Sequence, residues 1–494
     1  MLSDDILYLS VHELGAQVRA QKISPVELTE SYLARLEKFG AKLGAVATLT
    51  PDLALEQARA AQKEIAAGRM RGPLHGIPYG AKDLLATRDI KTTWGAPPFR
   101  DQVFDFDATV IRKLRAAGAI LVAKLSMIEL AGGGGYSSAS ASLQGPSRCP
   151  YNLDHWAGGS SSGPGAAVPA ALVGFAIGSE TLGSIITPSA FSGVSGLRPT
   201  YGRVSRHGAM ALSWTMDKLG PMCRSALDCG LVLNAIAGRD PADPTALDAS
   251  FTWWPPAAAR TNKAKLLAGK RLGVIQPDFS SQGDPEVGQA FAAALDVLRE
   301  LGAKLEETEL PDFPYGPIAV TLYSAEAASI FRPFIESGKV MELLDEFQKA
   351  GLVAALSLPA KDYLDAFRVR AQILPALGKL FEKFDALVSP SRITPAPRLD
   401  ADLTAPPPPR AGSTDRPATP PQNLETRNVI GSSNVAGLPA ISVPCGFTKE
   451  RNLPIGIQFV ADALREDVCL EFAIAYQSAT DWHRKRPGLG ALGG

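Results

Sequence analysis

The 494-residue sequence predicts an α/β fold in one large domain, residues 1–494. Short apolar runs with the character of strands alternate with segments of helical period, which is typical of α/β architecture. Strand-like runs lie on both sides of two irregular stretches, at about 240–262 and 395–421, so neither stretch separates two self-sufficient halves. The composition, 46% hydrophobic and 20% charged, is that of an ordinary globular protein.

The first elements are predicted to be helices. The segment SPVE, residues 24–27, places a cap serine, a first-turn proline and a glutamate three positions after the serine, which is the pattern of a capping box. Apolar residues at 28, 32 and 36 then recur every four positions on one face, which indicates burial of that face. A second helix is predicted from Thr50-Pro51 to near Gly68.

From Arg71 onward, the sequence consists of short apolar runs separated by glycines. GIPYGAKD (76–83) and AILVAKL (119–125) are predicted strands, and ATVIRKLRAAG (108–118) is a predicted helix between them. The same alternation returns near the C-terminus, with strands at 272–275, 438–447 and 453–461 and helices at 285–301 and 466–481.

Charge and composition exclude several classes of function. Fifty basic residues balance 50 acidic ones, so we expect neither a nucleic-acid nor an anionic-membrane partner. No run of 18 apolar residues and no signal-peptide pattern occur, so a soluble cytoplasmic protein is expected. Five scattered cysteines without C-x-x-C, and five histidines without H-E-x-x-H, favour neither a disulfide framework nor a metal site.

A glycine- and serine-rich segment, GGSSSGPG at 158–165, precedes a run of alanines. Such a segment is typical either of a surface loop or of a site where backbone approaches a substrate closely. Ser161 also stands at the centre of a G-x-S-x-G pattern, the nucleophile elbow of α/β-hydrolases. The preceding NLDHWAG is polar and unlike the buried strand that an elbow requires, which disfavours the elbow.

A second serine, in GSETLGSIITPSAF (178–191), is the better candidate nucleophile. Ser184 follows Gly183 and precedes a predicted helical turn, so several backbone N–H groups can point towards one place. Those are the parts of an oxyanion hole beside a nucleophile. No histidine lies near enough in sequence to act as the base.

Lys82 is the candidate base. It ends the predicted strand in GIPYGAKD, among glycines, where a lysine is usually solvated. Burial at this place would lower its pKa and leave a neutral amine that can accept a proton.

The serine-rich segment at 158–165, the segment around Ser184 and the strand that ends at Lys82 together resemble the amidase signature family of Ser–cis-Ser–Lys hydrolases. The resemblance runs through residues 157–205. It also includes two shorter motifs, GIPYGAKD (76–83) and DKLGPM (217–222), and two segments near the C-terminus, NVAGLPAISVPCGF (434–447) and LPIGIQF (453–459). It implies a mixed twisted sheet flanked by helices on both faces, with a signature core at about residues 71–225.

The resemblance also implies the site. Ser184 is then the nucleophile, Lys82 the base, and Ser160, after a cis peptide bond, the bridge between them. Ser161 and Gly159 support this arrangement. Backbone N–H groups hold the oxyanion, at Thr181, Leu182, Gly183 and Ser184. No cofactor and no metal are implied.

Departures from the family pattern lie around the nucleophile. The family reads close to G-T-D-T-G-G-S-I-R, whereas residues 178–186 read GSETLGSII. Glu180 stands for the aspartate and Ile186 for the arginine, so a supporting ion pair is expected to be absent. Leu182 replaces a glycine in the oxyanion turn and adds apolar surface near the reacting carbonyl.

The expected substrate follows from the stretch ELAGGGGYSSASASLQGP (129–146), which corresponds to a pocket-lining loop of the family. It carries no charge after Glu129, its glycines are expected to leave space, and an aromatic ring follows them. We expect a small neutral, partly aromatic amide, and also esters and carbamates (urethanes), because a buried charge would lack a partner. The residues predicted to contact it are Gly133, Gly134, Gly135 and Tyr136.

Two alternatives stay open. One is the amidase subunit of a tRNA-dependent amidotransferase, although such subunits carry a glutamate-containing S-T-E-N-type segment that is absent from residues 129–146. The other is a non-catalytic binding protein with the same fold. A homodimer is compatible with each reading.

Overall fold

A computed structural model describes residues 1–254, 266–277, 279, 283–405 and 425–492 of this chain. Eleven strands form one sheet in the order β1-β3-β2-β6-β8-β7-β12-β13-β11-β9-β10, and β4 and β5 form a separate two-stranded sheet. The strands are β1 Val46–Leu49, β2 Pro78–Lys82, β3 Ile120–Leu125, β4 Arg148–Cys149, β5 Asn152–Trp156, β6 Phe175–Glu180, β7 Ser195–Arg198, β8 Lys218–Cys223, β9 Arg271–Val274, β10 Lys304–Glu307, β11 Ala386–Pro390, β12 Ala440–Phe447 and β13 Pro454–Val460.

Helices flank the sheet. The α-helices are α1 Asp4–Leu7, α2 Val11–Arg19, α3 Pro25–Phe39, α4 Pro51–Ala66, α5 Thr109–Ala116, α6 Ser162–Ala167, α7 Ile186–Ser192, α8 Ala226–Ile236, α9 Pro285–Glu300, α10 Tyr315–Ile330, α11 Arg332–Glu336, α12 Glu346–Ala355, α13 Ala360–Lys383, α14 Glu425–Val435 and α15 Glu466–Ala479. Short 3₁₀ turns lie at Pro97–Phe99, Glu129–Gly132, Lys339–Glu342, Trp482–Arg484 and Leu489–Leu492.

The sheet is mixed, which confirms the predicted fold class. Parallel pairs join β2 to β3 and to β6, and join β9 to β10 and to β11. The strands between β6 and β11 pair antiparallel. Because β2 and β6 are parallel neighbours, their carboxyl ends lie at the same edge of the sheet. That edge carries Lys82 and the segment after Glu180.

Most predicted elements occur where the sequence places them. The first long helix begins at Pro25, and the Ser24 hydroxyl accepts a hydrogen bond from the backbone N–H of Glu27. Strands β2 and β3 are buried at every position, as their continuous apolar runs predict.

Some regions differ from the expectation. The polar segment before GGSSSGPG does contain a strand, β5, but this strand pairs with β4 and, through an isolated bridge at His155, with Arg398, outside the main sheet, where half-exposed polar side chains are tolerated. The helices α10 to α13, over residues 315–383, were not anticipated by the sequence motifs. Residues 240–254 and 395–405 form neither strand nor helix, and 255–262 and 406–421 of the predicted loops lie outside the described residues.

The interior is formed by several apolar clusters around the sheet. One cluster packs α3, α4 and α6 against β3, and another packs α10 and α13 against β11 and the segment after β6. No α-helix in the described part of the chain has the length and apolarity to cross a bilayer.

Candidate active site

Lys82, the last residue of β2, is the centre of the site. Its Nζ lies 2.8 Å from the hydroxyl oxygen of Ser160 and 2.8 Å from that of Ser179. The side chain is fully buried, and this burial lowers the lysine pKa to about 7, although the carboxylates of Asp217 and Glu180 act in the opposite direction. A neutral amine is therefore accessible near neutral pH.

The serine segment is held closely against Lys82. The peptide bond between Gly159 and Ser160 is cis, as the resemblance implied. Ser161 accepts a hydrogen bond from the backbone N–H of Ser179 and donates one to its carbonyl, at 3.2 and 3.1 Å. Its own N–H donates to the carbonyl of Ser184 at 3.3 Å. Ser161 thus connects three segments of the site.

Gly159 is required by packing. A Cβ at this position would lie 2.6 Å from Cζ2 of Trp156, which is closer than real Cβ contacts. The aromatic ring of Trp156 therefore packs directly against the backbone that leads into Ser160.

Ser184 lies in the turn between β6 and α7 and is partly exposed. Gly183 before it has a φ of +93°, a conformation that favours glycine. Within the described residues, the N–H groups of Leu182, Gly183 and Ser184 make no hydrogen bond to the chain. Such unengaged donors next to a serine hydroxyl are suited to bind an oxyanion.

Glu180 corrects an expectation about this turn. Its carboxylate pairs with Arg198 of β7 at 2.8 Å, with both side chains fully buried, so the expected absence of a supporting ion pair is wrong. The other carboxylate oxygen accepts the N–H groups of Ile185 and Ile186 at 2.7 and 2.9 Å. Burial raises the Glu180 pKa, but the charges of Arg198 and Lys218, with the hydrogen bonds to the carboxylate, together hold this pKa below its ordinary value. The acid thereby fixes the backbone just after the nucleophile.

Thr181 is held on two sides, by Asp217, which precedes β8, and by Lys218, the first residue of β8. Its hydroxyl donates to Asp217 at 2.5 Å, and its carbonyl accepts from Nζ of Lys218 at 3.4 Å. Lys218 also donates to Asn434 at 2.7 Å, and burial lowers the Lys218 pKa well below its ordinary value. Sequence reasoning placed Asp217 and Lys218 in the motif DKLGPM but assigned them no role.

A cavity of about 160 Å³ adjoins this turn. Ser179 and Thr181 form one side, and most of the remaining wall comes from residues 206–217, of which sequence reasoning had singled out only Asp217, as part of DKLGPM. The wall is mainly apolar, with Leu84, Ala131, Ala209, Met210, Leu212, Trp214, Leu219 and Pro244. In the sequence, the only feature that could have pointed to this wall segment is that it leads directly into the motif DKLGPM.

The charged side chains in the cavity wall are engaged by the chain itself. Arg206 donates to the Ser213 carbonyl and to the Thr245 hydroxyl, at 3.3 and 2.7 Å. Asp243 accepts the N–H of Arg206 at 2.7 Å and the hydroxyl of Thr245 at 2.6 Å. Asp217 accepts three hydrogen bonds, from Thr181 and from two backbone N–H groups.

The predicted substrate loop, residues 129–146, reaches this cavity through Ala131, but the four residues predicted to contact the substrate do not line it. Gly133, Gly134, Gly135 and Tyr136 are absent from the wall of this cavity. A Cβ on Gly134 would lie 2.2 Å from the carbonyl oxygen of Gln348, and one on Gly135 would lie 2.7 Å from the ring of Phe347. The expectation that the glycines leave space is therefore wrong at Gly134 and Gly135, because these two let the loop pack closely against α12.

Packing also fixes the side chains of Tyr136 and Leu182, two other residues of the predicted site. The ring of Tyr136 meets Trp156 edge to face, with centroids 6.0 Å apart, and burial raises the Tyr136 pKa to about 12. Leu182 packs against an apolar cluster that includes Ile186 and Met216. Among the described residues, no group of three or more His, Cys, Asp or Glu side chains could hold a metal ion.

Comparison with known proteins agrees with this geometry. The profile of the family described as Amidase matches residues 27–470. A glutamyl-tRNA(Gln) amidotransferase subunit from Moorella thermoacetica is 37% identical over 98% of this chain and 99% of its own length.

Solved structures give the same result. The peptide amidase of Stenotrophomonas maltophilia superposes with a TM-score of 0.78 and 30% identity, covering 97% of this chain and 98% of that one. A bacterial aryl acylamidase superposes with a TM-score of 0.81 at 23% identity, covering 98% and 100% of the two chains, which is a likeness of fold.

Proposed function

Because this chain belongs to the amidase signature family, we propose that it hydrolyses the C–N bond of neutral, partly aromatic amides through an acyl-enzyme on Ser184. Aryl esters and carbamates are further substrates under this proposal, since attack at their carbonyls needs the same groups. No cofactor takes part.

The proposed reaction uses the residues around Lys82. The Ser184 hydroxyl attacks the substrate carbonyl while its proton passes through Ser160 to neutral Lys82. The N–H groups of residues 181–184 stabilise the oxyanion of the tetrahedral intermediate. When the C–N bond breaks, the relay returns the proton to the leaving amine. Water then attacks the acyl group and regenerates Ser184.

The observation that carries the substrate class is the cavity beside Thr181. Its wall is mainly apolar, and its arginine and two aspartates already have partners in the chain. A free amino acid such as glutamine brings an ammonium and a carboxylate, which would lose water there without finding free partners. A neutral aryl group loses little water and gains contact with Leu84, Leu212 and Trp214.

The direct test is the ratio of kcat/KM for a nitroanilide or aryl carbamate to that for glutamine, measured on the purified chain. We expect a ratio well above one, and no turnover by Ser184→Ala, which controls for contaminating hydrolases. A ratio below one would refute the proposed substrate class.

The relay has its own test. Removing Ser184, Ser160 or Lys82 by substitution with alanine should each cost several orders of magnitude in turnover, with Ser184→Ala the most severe. Double substitutions should cost little more, because groups that act as one unit are not additive. Near-normal turnover by Lys82→Ala would show that another group is the base.

A second candidate is the amidase subunit of a tRNA-dependent amidotransferase. The observation that favours it is the 37% identity, over nearly the whole chain, to a protein named as such a subunit. In that case the purified chain alone would hydrolyse aryl amides poorly, and glutamine hydrolysis would appear when partner subunits and charged tRNA are added. A non-catalytic binding protein would turn over neither substrate.

A further inference from the structure

Asp217 connects the cavity wall to the turn that carries the nucleophile. It precedes β8 and is buried. One carboxylate oxygen accepts the hydroxyl of Thr181 at 2.5 Å. The other accepts the backbone N–H groups of Leu212 and Ser213 at 2.7 and 2.9 Å. One side chain thus bonds the oxyanion turn and the cavity wall at the same time.

The far side of the same wall is anchored separately. Glu326 of α10 accepts hydrogen bonds from the hydroxyls of Ser213 and Thr215, the latter at 2.9 Å, and from Tyr363 at 2.9 Å. The segment 212–215 is therefore clamped between Glu326 and Asp217. A group that fills the cavity presses on this segment, and close-packed interiors pass such small displacements on to their neighbours.

We propose that Asp217 is a positioning residue that couples occupation of the cavity by the acyl group to the placement of the oxyanion turn through Thr181. The inference rests on the proposed function, since it assumes that the acyl group occupies the cavity. Part of the binding free energy of an aryl group is then expressed in kcat and not in KM. The hydrogen bonds to the carboxylate are charge-assisted, so they are strong enough to transmit this effect.

The experiment compares two anilides with the same leaving group, one with an aromatic acyl group and one with acetyl. In the wild type we expect the aromatic acyl group to raise kcat. Asp217→Asn should lower that kcat advantage by about tenfold or more, the size expected for a lost hydrogen bond to a charged group, while KM for the aromatic substrate changes little.

Thr181 supplies a second pair of variants. Thr181→Val removes the hydroxyl and should lower the kcat advantage of the aromatic acyl group as much as Asp217→Asn does. Thr181→Ser keeps the hydroxyl and should retain the wild-type kcat advantage. The matched control is Asp228→Asn on α8, a buried carboxylate that also accepts two backbone N–H groups, those of Val11 and His12 at 3.0 and 2.9 Å. It should leave the kcat ratio unchanged.

The outcomes separate the two proposals. If the wild type hydrolyses no aryl amide, the proposed function is refuted, and the inference with it. If the wild type hydrolyses both anilides but Asp217→Asn lowers kcat for them equally, Asp217 has only a structural role and the inference alone is refuted. A wild-type ratio of kcat for the two anilides in Thr181→Val would also refute the inference about Asp217.

Discussion

Ser179 offers a sharp test of Lys82 as the base. Its hydroxyl lies 2.8 Å from Nζ of Lys82, the same distance as that of Ser160. A protonated amine has three N–H donors and no acceptor, so a buried ammonium depends on such hydroxyl acceptors. Ser179→Ala removes one of the two and should destabilise the charged form of Lys82 more than the neutral form.

The size of the effect follows from the contact. A hydrogen bond to a charged group contributes about 1.5–3 kcal/mol and one between neutral groups about 1 kcal/mol. The difference is about 1 kcal/mol, and one pKa unit corresponds to about 1.4 kcal/mol. The Lys82 pKa, held at about 7 by burial, should therefore fall further by somewhat under one unit.

The sign for activity is determined by which form reacts. The neutral amine is the base, and it predominates above its pKa, so activity rises with pH through that value. A lower pKa moves this rise to lower pH in Ser179→Ala, and the plateau at alkaline pH changes little.

The assay is kcat/KM for an aryl amide between about pH 5 and 9, because this quantity reports the pKa values of the free enzyme. Ser179→Thr is the matched control, since it keeps a hydroxyl and should keep the wild-type profile. A rise at unchanged pH in Ser179→Ala, or one displaced to higher pH, would refute the assignment of Lys82.

Two further predictions concern stability. Arg198→Met leaves Glu180 buried without its cation and should lower the free energy of unfolding by about 3–5 kcal/mol, measured by urea denaturation; a loss under about 1 kcal/mol would contradict the importance of this pair. Gly134→Ala should lower it by about 1–3 kcal/mol, because the added Cβ would lie 2.2 Å from the Gln348 carbonyl oxygen. Gly378→Ala, in α13 with nothing within 4 Å of the new Cβ, should instead raise it by about 0.5–1 kcal/mol. Equal effects of the two glycine substitutions would show that packing against α12 does not decide the cost.

Much of the fold could be predicted because the signals are local. The apolar run that ends at Lys82, the capped helix from Pro25 and the closing strands β12 and β13 each depend on neighbours within about ten positions, and periodicity reports those neighbours directly. The resemblance to the family, and not a local pattern, implied that Ser160 lies beside Lys82, and the structure places the Ser160 hydroxyl 2.8 Å from the lysine Nζ.

The partners of the turn could not be predicted in the same way. Comparison with the family pattern showed that Ile186 replaces an arginine, but not that Arg198, on another strand, supplies the cation to Glu180. Asn434 reaches the same carboxylate from 254 positions away in the sequence. Such pairings depend on strand order, and strand order is a property of the assembled sheet.

The sequence by itself determined the α/β class, the strand that ends at Lys82 and the two serine segments, because each is written in the types and spacing of adjacent residues. The tertiary structure decided what surrounds them. It brought Ser179 to the lysine, placed residues 206–217 around the cavity and packed Gly134 and Gly135 against α12. The shape of a site and the desolvation of its side chains depend on every segment that the fold brings next to it, and local sequence patterns do not show which segments those are.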